Sequence, residues 1–546
     1  MAPTPQSLKE EQRRSANYHA TIWDPTAIKS FTTPYSYELY ATQLEDLKQK
    51  ARNLLASTKG TGTAASLKLI DSLKRLGVAY HFQDQIQQAL DQLNVDQNVV
   101  SDDLSTVALR FRLLRDNCYP VTADVFEKFK GGDGKFMSSI SGDVEELLSL
   151  NEASFMAIQG EKILEEAKVF CNECLKILLG KMEKGKAEKV GRSLEVPLYW
   201  RMERIEARNF IDSYALDDSR SSVLLDLAKL NYNLIQSDYQ RELRELAEWW
   251  TELNFKEKLS FSRDRLMEMY FWATGLSFEP QYAKSRICFT KYACLATAVD
   301  DIYDVYGSLD ELESFTKAVT GWDVETVQEL PEYMRVIFSA ISNFTNELAQ
   351  QTVKDHGLDV LPYIKEQWAI LCRAHITEAR WFYGGQAPSF DEYIKNGWVS
   401  IGSLGGLVLL CFVEGDSIAD RFPNCLQDYS QLFYWSSLVT RLSDDLGTSK
   451  AEMERGDIPK AVQSYMIEKG VSEEEARDHV KGLISYAWKK MNEEIVDNCF
   501  PGVIVKLSKN MARTAQCMYQ HGDGVGTSTG VTKDCIVASI LKPIPI

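Results

Sequence analysis

Three groups of residues have types and spacings suited to chemistry. The first lies in VDDIYDVYG, where Asp300, Asp301 and Asp304 stand at i, i+1 and i+4. On a helix Asp300 and Asp304 share a face, and Asp301 lies three residues from Asp304. The preceding CFTKYACLATAV is apolar and reads as a buried helix. Three carboxylates at the end of a buried helix repel one another and are costly unless a cation neutralises them. Oxygen-only ligands suit hard Mg2+ or Mn2+, which keep waters and bridge to phosphate oxygens. A solvated helix end is the plain alternative, but Ile302, Tyr303, Val305 and Tyr306 make the stretch too apolar for it.

The second group lies in RLSDDLGTSKAEMERGD. Asp444, Thr448 and Glu452 recur at i, i+4 and i+8. Eight helical residues drift by only about 80°, so a carboxylate, a hydroxyl and a carboxylate share one face. Asp445 points sideways, and Arg441 stands one turn upstream. The third group is FSRDR, where Arg263 and Arg265 flank Asp264. Fixed guanidiniums suit a multiply charged phosphate. Together the groups describe a site that binds a diphosphate through several Mg2+ ions. An apolar pocket around it would draw on Trp272, Tyr292, Thr297, Ser400, Gly402 and Tyr519. Aromatic faces stabilise cations without acting as nucleophiles. Ionisation of an allylic diphosphate needs that combination.

Helices must position these groups. Apolar residues recur at helical spacing along most of the chain, as in ATQLEDLKQKARNLL and AWKKMNEEIVDN, and alternating strand runs are missing. Only 15 of 546 residues are Pro, below the usual level of about 5%, which favours long helices. The expected fold class is therefore all-α, with two helical domains. The loop LDDSRSS at 216–222 is the best boundary, giving 1–220 and 221–546. The net charge of −17 and the lack of a basic stripe exclude a nucleic-acid partner. The CNEC pair, Cys171 and Cys174, lacks the second pair that a structural zinc site needs. The longest uncharged run, between Lys395 and Glu414, holds four glycines and reads as a buried, broken helix rather than a membrane span. The first residues, MAPTPQSLKEEQRR, show no secretory or transit signal, so a cytoplasmic protein is expected, with the plastid as alternative. A monomer is the default.

The chain resembles the plant class I terpene synthases over nearly its whole length. DDIYDVYG matches that family's DDxxD motif, DDLGTSKAE its NSE/DTE motif, RDR its RxR motif, and RRSANYHATIW its RR-x8-W motif through Arg13, Arg14 and Trp23. LRFRLLR at 109–115, ARWF at 379–382 and YQHGDG at 519–524 also look like family segments. The resemblance implies a C-terminal catalytic domain of the class I terpene-cyclase fold and an N-terminal α-barrel-like domain with no reaction of its own. No DxDD motif occurs, since ALDD at 215–218 has Ala at its first position. Ionisation rather than alkene protonation should therefore start the reaction.

By resemblance, Asp300, Asp301 and Asp304 ligate two Mg2+, with Asp301 mainly orienting, and Asp444, Thr448 and Glu452 ligate a third. Mn2+ is the alternative ion. Arg263, Arg265 and Arg441 hold the departing diphosphate. Arg13, Arg14, Trp23 and Asp523 belong to a lid, with the loop 522–530. Trp272 and Tyr519 sit at the pocket, and the helix within 396–406 breaks so that backbone carbonyls face the cation. RR-x8-W typifies a branch rich in monoterpene synthases that also holds isoprene, ocimene and α-farnesene synthases. Only twelve residues precede Arg13, and this tilts the expected substrate toward farnesyl diphosphate and a sesquiterpene product. Geranyl diphosphate is the alternative, and dimethylallyl diphosphate is more remote. A trans-prenyltransferase would carry two DDxxD motifs on a shorter chain, and a non-enzymatic helical scaffold would show a repeat period.

Overall fold

The structure is a computed structural model that describes residues 13–57, 63–95, 103–498 and 500–546. Among them there is no β-strand, only an isolated bridge between Lys130 and Phe136. The chain divides into two compact units. One comprises Met1–Thr32, Asp238–Ala487 and Phe500–Leu541, and the other Thr33–Ser237, Trp488–Cys499 and Lys542–Ile546. Residues 13–32 thus group with the later part of the chain. The division falls inside the helix Ser222–Leu253 rather than at the loop 216–222.

The second of these units is a helical assembly around Leu67, Ile70, Leu73, Phe82, Leu90 and Leu114, all essentially inaccessible to solvent. Its helix Lys162–Leu179 carries the CNEC pair, with Cys171 on the buried face. Ion pairs are built into its interior. The buried Glu206 accepts from Arg75 at 2.8 Å through one oxygen and from Arg201 at 2.8 Å through the other.

The first unit holds the helices that matter for the site. These are α1 (Leu266–Leu276), α2 (Ala283–Asp301), α3 (Leu309–Gly321), α4 (Leu361–Tyr383), α5 (Phe390–Ser400), α6 (Ser403–Val413), α7 (Ser430–Arg455), α8 (Ala461–Lys469) and α9 (Gly502–Tyr519). Every residue of α1, LMEMYFWATGL, is buried, Glu268 included, so this helix acts as a core element. Ser308 and Ser389 cap α3 and α5 through reciprocal boxes with Glu311 and Glu392. The run Phe390–Val413 is long and apolar enough to cross a membrane, but 67% of its most apolar window is buried within the fold. It is also two helices. Gly402, at φ +79°, takes the left-handed conformation that breaks α5 from α6. Gly405 then lets α6 approach α2 closely, because a Cβ there would collide with the Tyr292 hydroxyl.

Candidate active site

The end of α2 is not a plain α-helix. After Asp301 the backbone widens into a π-turn, Ile302–Tyr306, which closes with Gly307 N donating to Ile302 O at 2.8 Å. Such turns concentrate at functional sites. Asp300 and Asp304 face a cavity of about 440 Å3. Together with His375 of α4 they bring ligand atoms within 4.8 Å of one another. Asp301 does not face the cavity. It is fully buried, and one oxygen accepts from Arg263 Nε at 2.8 Å. Its other oxygen accepts from Arg263 N at 2.7 Å and Ser262 Oγ at 3.0 Å. These donors engage both Asp301 oxygens, so the residue anchors Arg263. Arg263 in turn donates to Asp300.

The face of α7 supplies Asp444, Thr448 and Glu452 to the same cavity. Arg441 donates from Nη1 to Asp444 at 2.9 Å and to Asp445 at 3.0 Å, and from Nε to the Gly397 carbonyl at 3.0 Å. Asp445 is fully buried and also accepts from Tyr393 Oη at 2.9 Å and Ala461 N at 3.0 Å. It therefore fixes Arg441, α5 and α8 together. One Glu452 carboxylate oxygen is buried with no hydrogen-bond partner among the described residues. Lys460, just before α8, pairs with Glu378 of α4 at 2.9 Å, and both line the cavity.

Carboxylates outnumber the cations that could neutralise them, and their acidities diverge accordingly. Burial opposes ionisation of Asp300, yet Arg263, His375 and Lys460 hold its pKa below the ordinary value. Burial, with Asp300 alongside, pushes Asp304 up to about 8. Burial also raises Glu452 to about 8, with Asp444 and Asp445 adding to the effect, and raises Asp444 to about 6. Neighbouring acids with displaced pKa values, an unpaired buried oxygen and an oxygen-rich ligand set could hold hard cations.

Apolar and aromatic side chains line part of the cavity. Trp272 of α1 and Tyr519 of α9 meet edge to face with ring centroids 6.0 Å apart. The Trp272 indole N–H has no partner among the described residues. Thr297, Ser400 and Gly402 also line the cavity. The Gly402 carbonyl at the α5–α6 break accepts from the Tyr292 hydroxyl at 2.7 Å, and Ser400 Oγ is bound to Glu378.

The N-terminal segment lies against the π-turn that follows α2. Arg13 makes a two-pronged pair with Glu311, both contacts at 2.9 Å, and donates to the Tyr306 carbonyl at 3.1 Å. Glu311 closes the capping box of α3 by accepting from Ser308 N, so the helix start fixes its position. Arg14 donates to the Asp304 carbonyl at 2.8 Å and to Asp457 at 3.1 Å. Trp23 Nε1 reaches Ser528 Oγ at 3.4 Å. Asp523 lines the cavity, and one of its oxygens accepts from Val525 N at 3.1 Å and Gly526 N at 2.6 Å. Arg265 is not among the cavity residues. It is buried, and its donors go to the carbonyls of Val525 at 2.8 Å, His19 at 2.8 Å, Gly526 at 2.7 Å and Asp264 at 2.7 Å. It ties the N-terminal segment to the 522–530 loop instead of reaching into the pocket as the sequence suggested.

Residues 22–194 match the terpene synthase N-terminal domain, and residues 251–490 match the terpene synthase family metal binding domain. The chain belongs to the terpene synthase family. Terpene synthases are lyases, and so is this enzyme. It is 49% identical to the chloroplastic trans-ocimene synthase of Litsea cubeba over 98% of this chain and 91% of that one. Among solved structures, limonene synthase with 2-fluorolinalyl diphosphate superposes with a TM-score of 0.94, at 38% identity, over 98% of this chain and 100% of that one. Isoprene synthase from grey poplar (Populus x canescens), in complex with three Mg2+ ions and dimethylallyl-S-thiolodiphosphate, superposes with a TM-score of 0.87, at 38% identity, over 96% and 99%. The all-α terpene synthase fold expected from sequence is the fold found.

Sequence reasoning about this terpene synthase missed His375, Glu378 and Lys460. His375 and Glu378 lie in the helical run RAHITEAR and Lys460 in the extended stretch before α8, and none of the three carries a spacing signal. Lys460 could have been suspected from its place shortly after the Asp444–Glu452 stripe. His375 and Glu378 become visible only when α4 is packed against α2 and α5.

Proposed function

We propose that this enzyme ionises geranyl diphosphate and converts the resulting ten-carbon cation to a monoterpene, releasing diphosphate. One observation carries the reading: the Asp300/Asp304 pair and the Asp444/Thr448/Glu452 stripe line one cavity together with Trp272, Phe289, Tyr292 and Tyr519. Asp300 and Asp304 would hold Mg2+ on one side, and Asp444, Thr448 and Glu452 on the other. The three Mg2+ ions in the grey poplar isoprene synthase complex support the same count here. Bound Mg2+ supplies Lewis-acid stabilisation of the leaving diphosphate. Mn2+ is an alternative occupant of these oxygen ligands.

Arg263, Arg441 and Lys460 are held at the cavity by carboxylates, positioned to take up negative charge as the carbon–oxygen bond breaks. Asp301 and Asp445 keep the two guanidiniums in place. Trp272, Tyr292 and Tyr519 offer π faces to a cation and no strong nucleophile. Arg13, Arg14 and Trp23, with the Asp523 loop, form the lid that excludes water and so prevents quenching of the cation to an alcohol.

The ocimene and limonene synthase likenesses favour ten carbons over the fifteen expected from the short N-terminal stretch. The cavity of about 440 Å3 must hold diphosphate as well as hydrocarbon and lies toward the small end of ligand pockets, which span about 300–1,000 Å3. The chloroplastic relative likewise supports a plastid location over a cytoplasmic one. The test is incubation of the full chain with Mg2+ and, separately, dimethylallyl, geranyl and farnesyl diphosphate. Diphosphate release is followed, and volatiles are identified by gas chromatography with mass spectrometry. A ten-carbon product at the highest kcat/KM is expected. A dominant fifteen-carbon or five-carbon product would overturn the substrate assignment, and no release from any of them would overturn the reaction.

A further inference from the structure

His375 stands where an all-oxygen metal site has no need of a nitrogen. It is 2% exposed, lies in α4, and faces the cavity beside Asp300 and Asp304. Its Nδ1 is buried and has no hydrogen-bond partner among the described residues. A buried ring nitrogen without a partner is costly, and most such groups in folded proteins are satisfied. Asp300 Oδ1 lies 3.8 Å from His375 Nδ1. That is too long for a hydrogen bond. It is within the span of two ligands on one ion, because two bonds of about 2.0–2.1 Å can separate their donors by up to about 4.2 Å. The ring is fixed as well as unsatisfied, since it stacks on Tyr303 with centroids 5.3 Å apart and planes 21° apart. Tyr303 belongs to the same π-turn as Asp304, so one local distortion of the backbone supports both the carboxylate and the imidazole.

We infer that His375 is a nitrogen ligand to the ion held by Asp300 and Asp304, and that it biases this site from Mg2+ toward Mn2+. The inference rests on the metal-site reading given above. The physical reason is ligand type. Carboxylate oxygens suit Mg2+ and Mn2+ alike, whereas an imidazole nitrogen adds little for a small, strongly hydrated Mg2+ and more for a first-row transition ion. Asp444, Thr448 and Glu452 offer only oxygen. The two faces of one cavity would therefore differ in the ion they prefer.

The test loads the full chain with Mn2+ and inorganic pyrophosphate and reads electron spin echo modulation from nitrogen. The expected result is a nitrogen signal that changes on 15N-histidine labelling and disappears in His375→Phe, which keeps a ring against Tyr303. Calorimetric titration should show Mn2+ binding weakened about tenfold in that variant, with Mg2+ binding changed less than about twofold. Should the phenylalanine variant fail to fold, His375→Gln removes the ring nitrogen in the same test. Bound Mn2+ without a histidine nitrogen signal overturns the role of His375 and leaves the carboxylate site standing. So does a signal that survives in the variant, or equal losses for both ions. Failure of Mn2+ to bind at all overturns the metal-site reading itself.

Discussion

Buried carboxylates occur in both compact units, and burial leads to opposite outcomes. In the unit without the cavity, Glu206 is buried against Arg75 and Arg201, and despite burial these guanidiniums hold its pKa below the ordinary value. Asp71, paired with Arg112 at 2.6 Å, behaves in the same way. In the cavity-bearing unit, Asp304 and Glu452 are pushed up to about 8, because burial and neighbouring carboxylates outweigh the nearby Lys460. The first arrangement is a closed charge balance that holds helices together. The second leaves negative charge for something outside the chain to neutralise. Burial alone does not mark a functional acid, whereas burial with a deficit of cations does.

The largest effect expected from this contrast is at Asp300. Asp300→Asn should lower diphosphate release at least about 10^3-fold, which is several kcal/mol of transition-state stabilisation, with an unchanged circular dichroism spectrum. Turnover within tenfold of the parent would remove Asp300 from the metal site. In the other unit, Glu206→Ala should cost about 1–3 kcal/mol, since it leaves two half-buried guanidiniums without their carboxylate. Denaturant titration should show the loss, while activity per folded molecule stays unchanged.

The third prediction concerns pH. The folded pKa of Asp304 and of Glu452 is raised to about 8, and unfolding returns both groups to the ordinary carboxylate range, so the folded chain holds more protons between those values. In the metal-free enzyme their contribution to stability falls as pH rises from about 4 to 8. Glu206, held below its ordinary value, contributes stability that is present above about pH 4 and lost on acidification. Cation binding must displace the protons on Asp304 and Glu452, so Mg2+ affinity should strengthen from pH 6 to 8, by up to about tenfold per unit for each proton released. An affinity that is flat across that window would break the comparison.

The smallest effect is expected at the lid. The Arg13–Glu311 pair is partly exposed, so Arg13→Ala should change stability by less than about 1 kcal/mol. It should instead raise the share of alcohol among the products, because water reaches the cation more easily. An unchanged product profile would show that the Arg13 contacts do not exclude water.

Much of the site was legible because its signals are local and periodic. Asp300 and Asp304, and Asp444, Thr448 and Glu452, are chemistry repeated on one helical face, and the structure gathers both sets at one cavity. The helical class followed from the apolar spacing and the scarcity of proline. What spacing could not resolve was direction. Asp301 and Arg265 sit inside the expected motifs, but their side chains turn toward Arg263 and toward backbone carbonyls, a choice made by tertiary packing and by the π-turn after Asp301. The Gly402 break was foreseeable from four glycines in one uncharged run. That Tyr292 would occupy the Gly402 carbonyl was not, because it depends on how closely α6 approaches α2.

The most direct test of the charge deficit is calorimetric titration of the full chain with Mg2+ and inorganic pyrophosphate at pH 7, in two buffers of different ionisation enthalpy. The account predicts saturable binding accompanied by net proton release, as Asp304 and Glu452 give up protons to the arriving cations. Binding without proton release, or no binding at all, would contradict it.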